Sequence, residues 1–392
     1  MSISQPSGYN MVDHFLQTAK NSLWNIMEYE TVTVVMGNEA CDLDTVACSL
    51  AYGIYYYDRY RRYSMDCVAM AIFDILPEEL NLKTEVLFWL QKLKISKTHF
   101  MFRDDVNLRQ LHGIGKLQLI LVDHHVLSPR WKGLEKAVVE VIDHRPVQKG
   151  IQWPLATVNI STVGSCSSLI AEKVMEKRKD VFTLQISMLL YGAIVLDTAG
   201  LSLTSGRTTE LDLSMAVMFE SMYRECDREK VLKVLVQARA DISTLATKLV
   251  LIKDMKLARG IPICGFPVSI PKLMERLDLY DVLLKFCEEK KYQIIVLMGQ
   301  EVSSGTFLRD LGVFTSIPKW NGAEKLIQFL QESTDPNLEL EPLETQKKIT
   351  GLVVFKQKNT HASRKQVLPI VEAATHDIPE LHALNEYPCQ CK

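Results

Sequence analysis

The sequence predicts an α/β fold built on a mainly parallel sheet and divided into more than one domain. Short apolar runs rich in β-branched residues, Thr31–Met36, Cys67–Phe73, Leu117–Val122 and Val138–Ile142, are bounded by polar residues and alternate with helical patterns, as buried strands of a parallel sheet do. Two of them end alike: Leu117–Val122 runs into Asp123-His124-His125, and Val138–Ile142 into Asp143-His144-Arg145. A chain of 392 residues also exceeds one ordinary core, so two domains are expected.

Taken in order, His14–Tyr29 carries Phe15, Ala19, Leu23 and Ile26 at helical spacing. Thr31–Met36 is a strand by its β-branched content and leads into Gly37-Asn38-Glu39-Ala40-Cys41-Asp42-Leu43-Asp44-Thr45. The apolar helical run Val46–Tyr57 follows at once. Asp42 and Asp44, two apart in an extended loop, can face one ion; the alternative is that they cap the helix. A helix starting near Thr45 also offers free N–H groups to a phosphate. Glu85–Leu93 is helical. Gly164-Ser165-Cys166-Ser167-Ser168 opens a helix over Leu169–Glu176, either as a phosphate cradle or as a plain N-cap. Thr183–Val195 is an apolar helix closing in Leu196-Asp197-Thr198, and Thr209-x-x-Asp212 opens another over Leu213–Met222.

The charged stretch Tyr223–Lys230 reads as the linker, dividing residues 1–228 from 229–380 and leaving 381–392 as a tail. Beyond it the pattern restarts: a helix over Val231–Leu257, then Ile261–Val268, whose Pro262 and Pro267 make it an edge or bent strand. A helix over Ile270–Cys287, strands over Gln293–Met298 and Thr306–Thr315, a helix over Gly322–Glu332, a strand over Ile349–Phe355 and a helix over Gln366–Ala374 complete it. His376–Lys392 reads as loose.

Composition removes several function classes. Hydrophobic residues make up 47% and charged residues 23%, an ordinary globular balance, and a net charge of −2 speaks against a nucleic-acid surface. No stretch approaches 18 apolar residues, so no membrane span is expected. Met1–Asn10 has neither signal-peptide nor transit-peptide character. The 9 cysteines are scattered apart from Cys389-x-Cys391, as reduced thiols of a cytoplasmic protein would be.

Asn38, Asp42, Asp44, Asp123, His124, His144 and Asp197 all follow apolar elements. In open α/β sheets ligands bind outside the carboxyl ends of the strands, so these residues are drawn to one edge. Carboxylates with imidazole suit Mg, Mn or Zn, and carboxylates gathered without a cation would repel one another. The set suffices for two divalent cations, with Asp123 as the bridge. Two such ions ~3.5–4 Å apart can activate a water and stabilise in-line displacement at phosphorus. Arg145, and Ser363-Arg364-Lys365 at the start of a late helix, supply cations for a polyanion.

Gly-Asn-x-x-x-Asp-x-Asp, Asp-His-His, Asp-His-Arg and Leu-Asp-Thr, in that order, resemble the DHH phosphoesterase superfamily, which includes the family II inorganic pyrophosphatases. Asn38 and Asp143-His144-Arg145 are similar to the prune family of exopolyphosphatase-like proteins. The resemblance covers about Val32 to Ala374. It implies an N-terminal DHH domain and a smaller C-terminal DHHA2 domain with the active site in the cleft between them. It implies Asp42, Asp44, Asp123, His144 and Asp197 as metal ligands, with Asn38 in a ligand position and Asp123 bridging. Asp123, His124 and Arg145 are the candidate catalytic residues. Ser363-Arg364-Lys365 matches the family's substrate-binding Ser-Arg-Lys, and Asp254-Met255-Lys256 its Asp-x-Lys, which adds Lys256.

Two departures shape the expected activity. Pyrophosphatases have His where this chain has Asn38, a weaker ligand, and a second His where it has Arg145, which cannot donate a proton at neutral pH. The resemblance therefore implies a Mg- or Mn-dependent exopolyphosphatase on short inorganic polyphosphate with weak pyrophosphatase activity. Its alternatives are a cAMP or cGMP phosphodiesterase, and a low-activity scaffold for nucleoside diphosphate kinase. Nucleic-acid-processing DHH enzymes carry Gly-Gly-Gly-His, and this chain has no Gly-Gly pair.

Overall fold

The computed structural model describes residues 10–148, 150, 153–303 and 306–382. Cys389 and Cys391 lie outside them. The chain forms two compact units, Met1–Arg239 and Ala240–Lys392.

The first unit is built on six strands: β1 (Thr31–Met36), β2 (Cys67–Phe73), β3 (Met101–Phe102), β4 (Leu117–Val122), β5 (Val138–Asp143) and β6 (Thr157–Ile160). Their order is β3-β2-β1-β4-β5-β6 and every neighbouring pair is parallel. This is the expected α/β architecture. The chain leaves β1 towards β2 on one side and returns with β4 on the other, so the order reverses between β1 and β4. Such a switch point leaves a crevice at the carboxyl ends of the strands. Register sets the ends level: Met36 lies opposite Leu121, and Val122 opposite Ile142.

The strands are apolar on both faces because helices cover both. The Leu43–Arg62 helix is buried along most of its length, and in the Leu184–Asp197 helix every residue from Gln185 to Leu196 is buried. A helix apolar all round belongs in a core. The charged stretch at 223–230 is not the division between the units: the Arg228–Ala240 helix returns Val231 and Leu235 to the first core, and the chain divides after Arg239. The first helix ends at Asn21 and continues as a single 3-10 turn, Ser22–Asn25, rather than running to Tyr29.

The second unit has β7 (Asp254–Ala258), β8 (Ile261–Phe266), β9 (Ile294–Ser303), β10 (Thr306–Thr315), β11 (Leu340–Pro342) and β12 (Leu352–Gln357), in the order β11-β12-β10-β9-β8-β7. Only β8 and β9 are parallel; the other pairs are antiparallel. Ile294, Val296 and Met298 pack into one apolar cluster, and Ile295 and Leu297 into another, so this sheet too is covered on both faces.

Four expectations fail here, one of them that the chain is loose from His376, since the Arg364–Asp377 helix and a short helix at Pro379–His382 continue past it. The helix expected over Val231–Leu257 is two helices, Arg228–Ala240 and Thr247–Lys253, followed by β7. Asp241 breaks it by accepting the Ser243 N–H at 2.9 Å. Ile261–Val268 is no edge strand, because β7 covers it; Pro262 is tolerated since pairing with β9 begins only at Ile263. The helix expected over Ile270–Cys287 is split into Ile270–Met274 and Leu279–Lys290.

Candidate metal centre

The loop after β1 is shaped by close packing. A Cβ on Gly37 would fall 2.1 Å from the Thr45 Cγ2, so only glycine fits. Asp42 is the N-cap of the Leu43–Arg62 helix and accepts the Thr45 N–H at 3.0 Å. Asp44 therefore lies in the first helical turn, not in an extended loop. Its carboxylate is buried against the start of the Cys166–Arg178 helix. Oδ1 accepts the Ser165 hydroxyl (2.8 Å), the Ser167 N–H (2.8 Å) and the Ser167 hydroxyl (2.6 Å), and Oδ2 accepts the Cys166 N–H (2.7 Å). Asp212 takes the flanking donors, the Gly164 N–H at 2.8 Å and the Ser168 hydroxyl at 2.6 Å. The Gly164–Ser168 stretch is thus filled by the chain's own carboxylates and is no free phosphate cradle.

Asp123 follows β4 with φ at 60, a left-handed backbone that turns its side chain back over the sheet edge. Its Oδ2 accepts the Asn38 amide (2.5 Å) and the Thr45 hydroxyl (2.5 Å). Its Oδ1 is buried and takes no neutral donor; it faces the side chains of His144 and Arg145. His144 follows β5. Its Nδ1 lies 3.0 Å from the Val163 carbonyl, which fixes the proton there and turns Nε2 towards the acids. Nε2 is 3.2 Å from Asp123 Oδ1 and 4.0 Å from Asp44 Oδ2. Ligand atoms of Asp44, Asp123 and His144 all lie within 4.8 Å of one another.

This donor set fits a divalent cation: two buried carboxylates and an oriented imidazole whose Nε2 is turned to a carboxylate oxygen. The electrostatics agree. Burial, then Asp44 and Asp42, hold the Asp123 carboxyl well above the usual carboxylate range. Burial and the charges of Asp44, Asp42 and Asp123 do the same to Asp197. Burial disfavours a charged His144, but its contact with Asp123, with Asp44 and the Val163 carbonyl, outweighs this and lifts it to about 9. A cation would replace the protons this cluster retains.

The remaining candidates stand around the triad. Asn38 donates to Asp123 and accepts the Ala40 N–H at 2.7 Å, so both ends of its amide are engaged and it orients Asp123. Asp42 and Asp197 are outside the triad, although their charges reach it. Asp197 closes the Leu184–Asp197 helix. His124 bonds the Val122 carbonyl through Nδ1 at 3.0 Å, and burial holds it below the usual histidine range. It lines a cavity of about 300 Å³ with Asn38, Asp74, Asp143, Arg145 and Gln148. Arg145 places a terminal nitrogen 3.7 Å from Asp123 Oδ1 and is 49% exposed.

A DHHA2 domain matches residues 233–374. Exopolyphosphatase PRUNE1 of Bos taurus is 32% identical over 371 residues, spanning 93% of this chain and 79% of its own. The Homo sapiens protein of that name is 31% identical over 369 residues, again spanning 93% and 79%. The chain belongs to the prune family. A solved structure of a Methanococcus jannaschii protein assigned to the family II inorganic pyrophosphatases covers 88% of this chain and 99% of its own, at 21% identity and a TM-score of 0.47.

In this prune-family chain the DHHA2 region brings its two motifs together. Arg364 donates to Asp254 Oδ1 at 2.7 Å, joining Ser363-Arg364-Lys365 to β7, where Lys256 lies two residues on and is exposed. Ser363 is the N-cap of the Arg364–Asp377 helix and Lys365 is exposed beside it.

Several residues of the centre lie outside the candidate set read from the sequence. His125 Nδ1 contacts the buried Asp143 carboxylate, and its Nε2 accepts the Gln148 N–H at 3.1 Å, so the third residue of Asp-His-His braces β5. Asp74, at the end of β2, is buried with Oδ1 unpartnered, and burial raises it to about 6. Its place after an apolar strand was the available clue.

Proposed function

We propose that this protein hydrolyses terminal phosphoanhydride bonds of short inorganic polyphosphate, with weaker action on diphosphate, and requires Mg or Mn. The observation that carries this reading is the convergence of Asp44, Asp123 and His144 beside a half-exposed arginine at the switch point of a parallel sheet. The exopolyphosphatase names of its relatives supply the substrate class.

In this reading Asp44, Asp123 and His144 hold one cation, and Asp42 and Asp197 complete the ligands of a second. Bound divalent cations supply Lewis acidity and lower the pKa of a coordinated water. Asn38 and Thr45 keep Asp123 aimed at the cluster. Arg145 turns from Asp123 to the substrate's oxygens and, always charged, stabilises the departing phosphate without protonating it. That suits a chain whose leaving end is already stabilised better than it suits diphosphate. His124, held neutral by burial and with Nδ1 tied to a carbonyl, offers Nε2 as proton acceptor. Within the DHHA2 region, Lys256, Ser363, Arg364 and Lys365 offer cationic and hydroxyl contacts suited to a polyanion. The seven cysteines among the described residues are free thiols, which suits a cytoplasmic protein.

The test is turnover of tripolyphosphate, tetrapolyphosphate, diphosphate and cAMP with Mg or Mn, for the wild type and Asp123→Ala. Metal-dependent phosphate release from the polyphosphates, abolished in the variant, is expected. AMP formation from cAMP alone would replace this reading with a phosphodiesterase. Silence of the wild type on all four would replace it with a binding role.

A further inference from the structure

A second cavity lies at the opposite edge of the first sheet. It has a volume of about 450 Å³ and is lined by Tyr52, Tyr56, Arg59, Gln118, Glu140 and Lys177, among others. Gln118 stands near the start of β4 and Asp123 just past its end, about 17 Å away along the strand at ~3.3 Å per residue. The two sites do not share a residue.

The lining has an unusual chemistry for a structural cleft. Tyr52, Tyr55, Tyr56 and Tyr60 form one aromatic group, with the Tyr52 and Tyr55 rings stacked at 5.4 Å and Tyr56 edge-on to both. Tyr52, Tyr55 and Tyr60 are buried, whereas Tyr56 is partly open. Beneath them is Glu140, a buried carboxylate on β5. It accepts the hydroxyls of Tyr52 (2.8 Å) and Tyr56 (3.2 Å) and is neutralised by Lys173. A buried ion pair is costly to desolvate, and nothing in the metal chemistry uses this one.

The cations at the rim differ from those beside them. Arg62 and Arg178 are tied to Asp58 and Asp180. Arg59 and Lys177 face the cavity, are exposed, and have no carboxylate partner among the described residues; Arg59 lies 5.9 Å over the Tyr56 ring. With Glu140 cancelled by Lys173, the cavity presents two positive charges without a carboxylate partner among the described residues, one partly open aromatic ring, a carboxylate and the Gln118 amide.

We propose that this cavity binds a nucleoside phosphate at a site separate from the metal triad. Arg59 and Lys177 hold the phosphate. The base lies against Tyr56, Gln118 meets its polar edge, and the ribose hydroxyls donate to Glu140, as such hydroxyls do to acidic residues in dinucleotide folds. The volume is within the range of small-ligand sites. A bare phosphate would leave the aromatic wall and Glu140 unused.

The experiment is calorimetric titration of the full chain with AMP in EDTA, which keeps divalent cations from recruiting AMP to the triad. The proteins are the wild type, Asp123→Ala, Tyr56→Ala and the double variant Arg59→Glu/Lys177→Glu; inorganic phosphate is the comparison ligand. Expected are one AMP per chain, unchanged affinity in Asp123→Ala, and a loss of roughly tenfold or more in Tyr56→Ala and in the charge-reversed double variant. Phosphate should bind at least about tenfold more weakly than AMP. A wild type silent at millimolar AMP would overturn the proposal. So would loss of binding in Asp123→Ala, or full binding in the charge-reversed variant. Should charge reversal disturb folding, Arg59→Gln/Lys177→Gln asks the same question with less repulsion. The proposal does not rest on the polyphosphatase reading, because no metal and no turnover enter its test.

Discussion

Asp44→Asn separates a ligand that is also a structural brace from a ligand alone. The Asp44 carboxylate accepts from the Ser165 hydroxyl, the Cys166 N–H and both donors of Ser167 in a buried site. An asparagine must point its own NH2 at some of these donors. If it replaces Oδ2, it faces the Cys166 N–H, and that charge-assisted bond, of about 1.5–3 kcal/mol, is lost with a buried donor unsatisfied. The bonds that survive lose the charge that roughly doubled their strength. Relief of repulsion with Asp123 and Asp197 returns part of this. A net destabilisation of about 2–4 kcal/mol is expected without metal. Asp123→Asn should behave differently. Its oxygen can keep the Asn38 and Thr45 bonds at the Oδ2 position, and its NH2, at the Oδ1 position, can donate to His144 Nε2 once that imidazole is neutral, in place of the contact it makes with the carboxylate. Removing a charge whose ionisation is already disfavoured should leave the metal-free protein within about 1 kcal/mol of the wild type, or more stable. Urea unfolding in EDTA at neutral pH, followed by circular dichroism, reads both. Equal destabilisation by the two variants, or a cost below about 1 kcal/mol for Asp44→Asn, would refute the account of the Ser165–Ser167 clamp.

The other expectations concern the same edge. His144, raised from 6.5 to about 9, contributes stability that is complete below 6.5 and lost as pH rises through about 9. The raised Asp123 acts in the same direction, because its charged form is the disfavoured one. In EDTA the unfolding free energy from urea melts should therefore fall between these pH values, by up to about 3 kcal/mol at ~1.36 kcal/mol per pH unit, and saturating Mn should flatten the profile; a flat profile in EDTA would contradict this. Gly37→Ala should displace Thr45, loosen Asp123 and weaken Mn binding roughly 10–100-fold by titration while the protein stays folded. His125→Leu leaves the buried Asp143 carboxylate without its imidazole and should cost about 3–5 kcal/mol in a thermal or urea melt; a cost under about 1 kcal/mol would show that His125 is not a brace.

The parts of the fold legible in the sequence are those whose chemistry is local. β1, β4 and β5 announce themselves because both faces are buried and their runs are continuously apolar. Asp123 and His144 are legible because a polar residue closing such a run has only the sheet edge to occupy. β3 is two residues long, and β6 is a largely exposed Thr-Val-Asn-Ile, so neither has a run to detect. β7 is hidden because Asp254–Ala258 continues the apolar spacing of the helix before it, and only pairing with β8 makes it a strand. At the centre, the partnership of Asp44 with Ser165 and Ser167 depends on the arrival of a helix from far along the chain, which no local pattern encodes. For the same reason the Ser-rich segment looked open to phosphate when two carboxylates fill it. Asn38 sits where a ligand was expected, but its amide can donate as well as accept, and the structure uses it to steer Asp123.

Asp44, Asp123 and His144 are proposed to hold a divalent cation. Crystals of the full chain grown with Mn and measured at the manganese edge test it most directly. An anomalous peak bounded by Asp44, Asp123 Oδ1 and His144 Nε2, absent in crystals of Asp123→Ala, is the predicted result. A fully occupied manganese elsewhere with none at the triad, or a triad empty at saturating Mn, would contradict it.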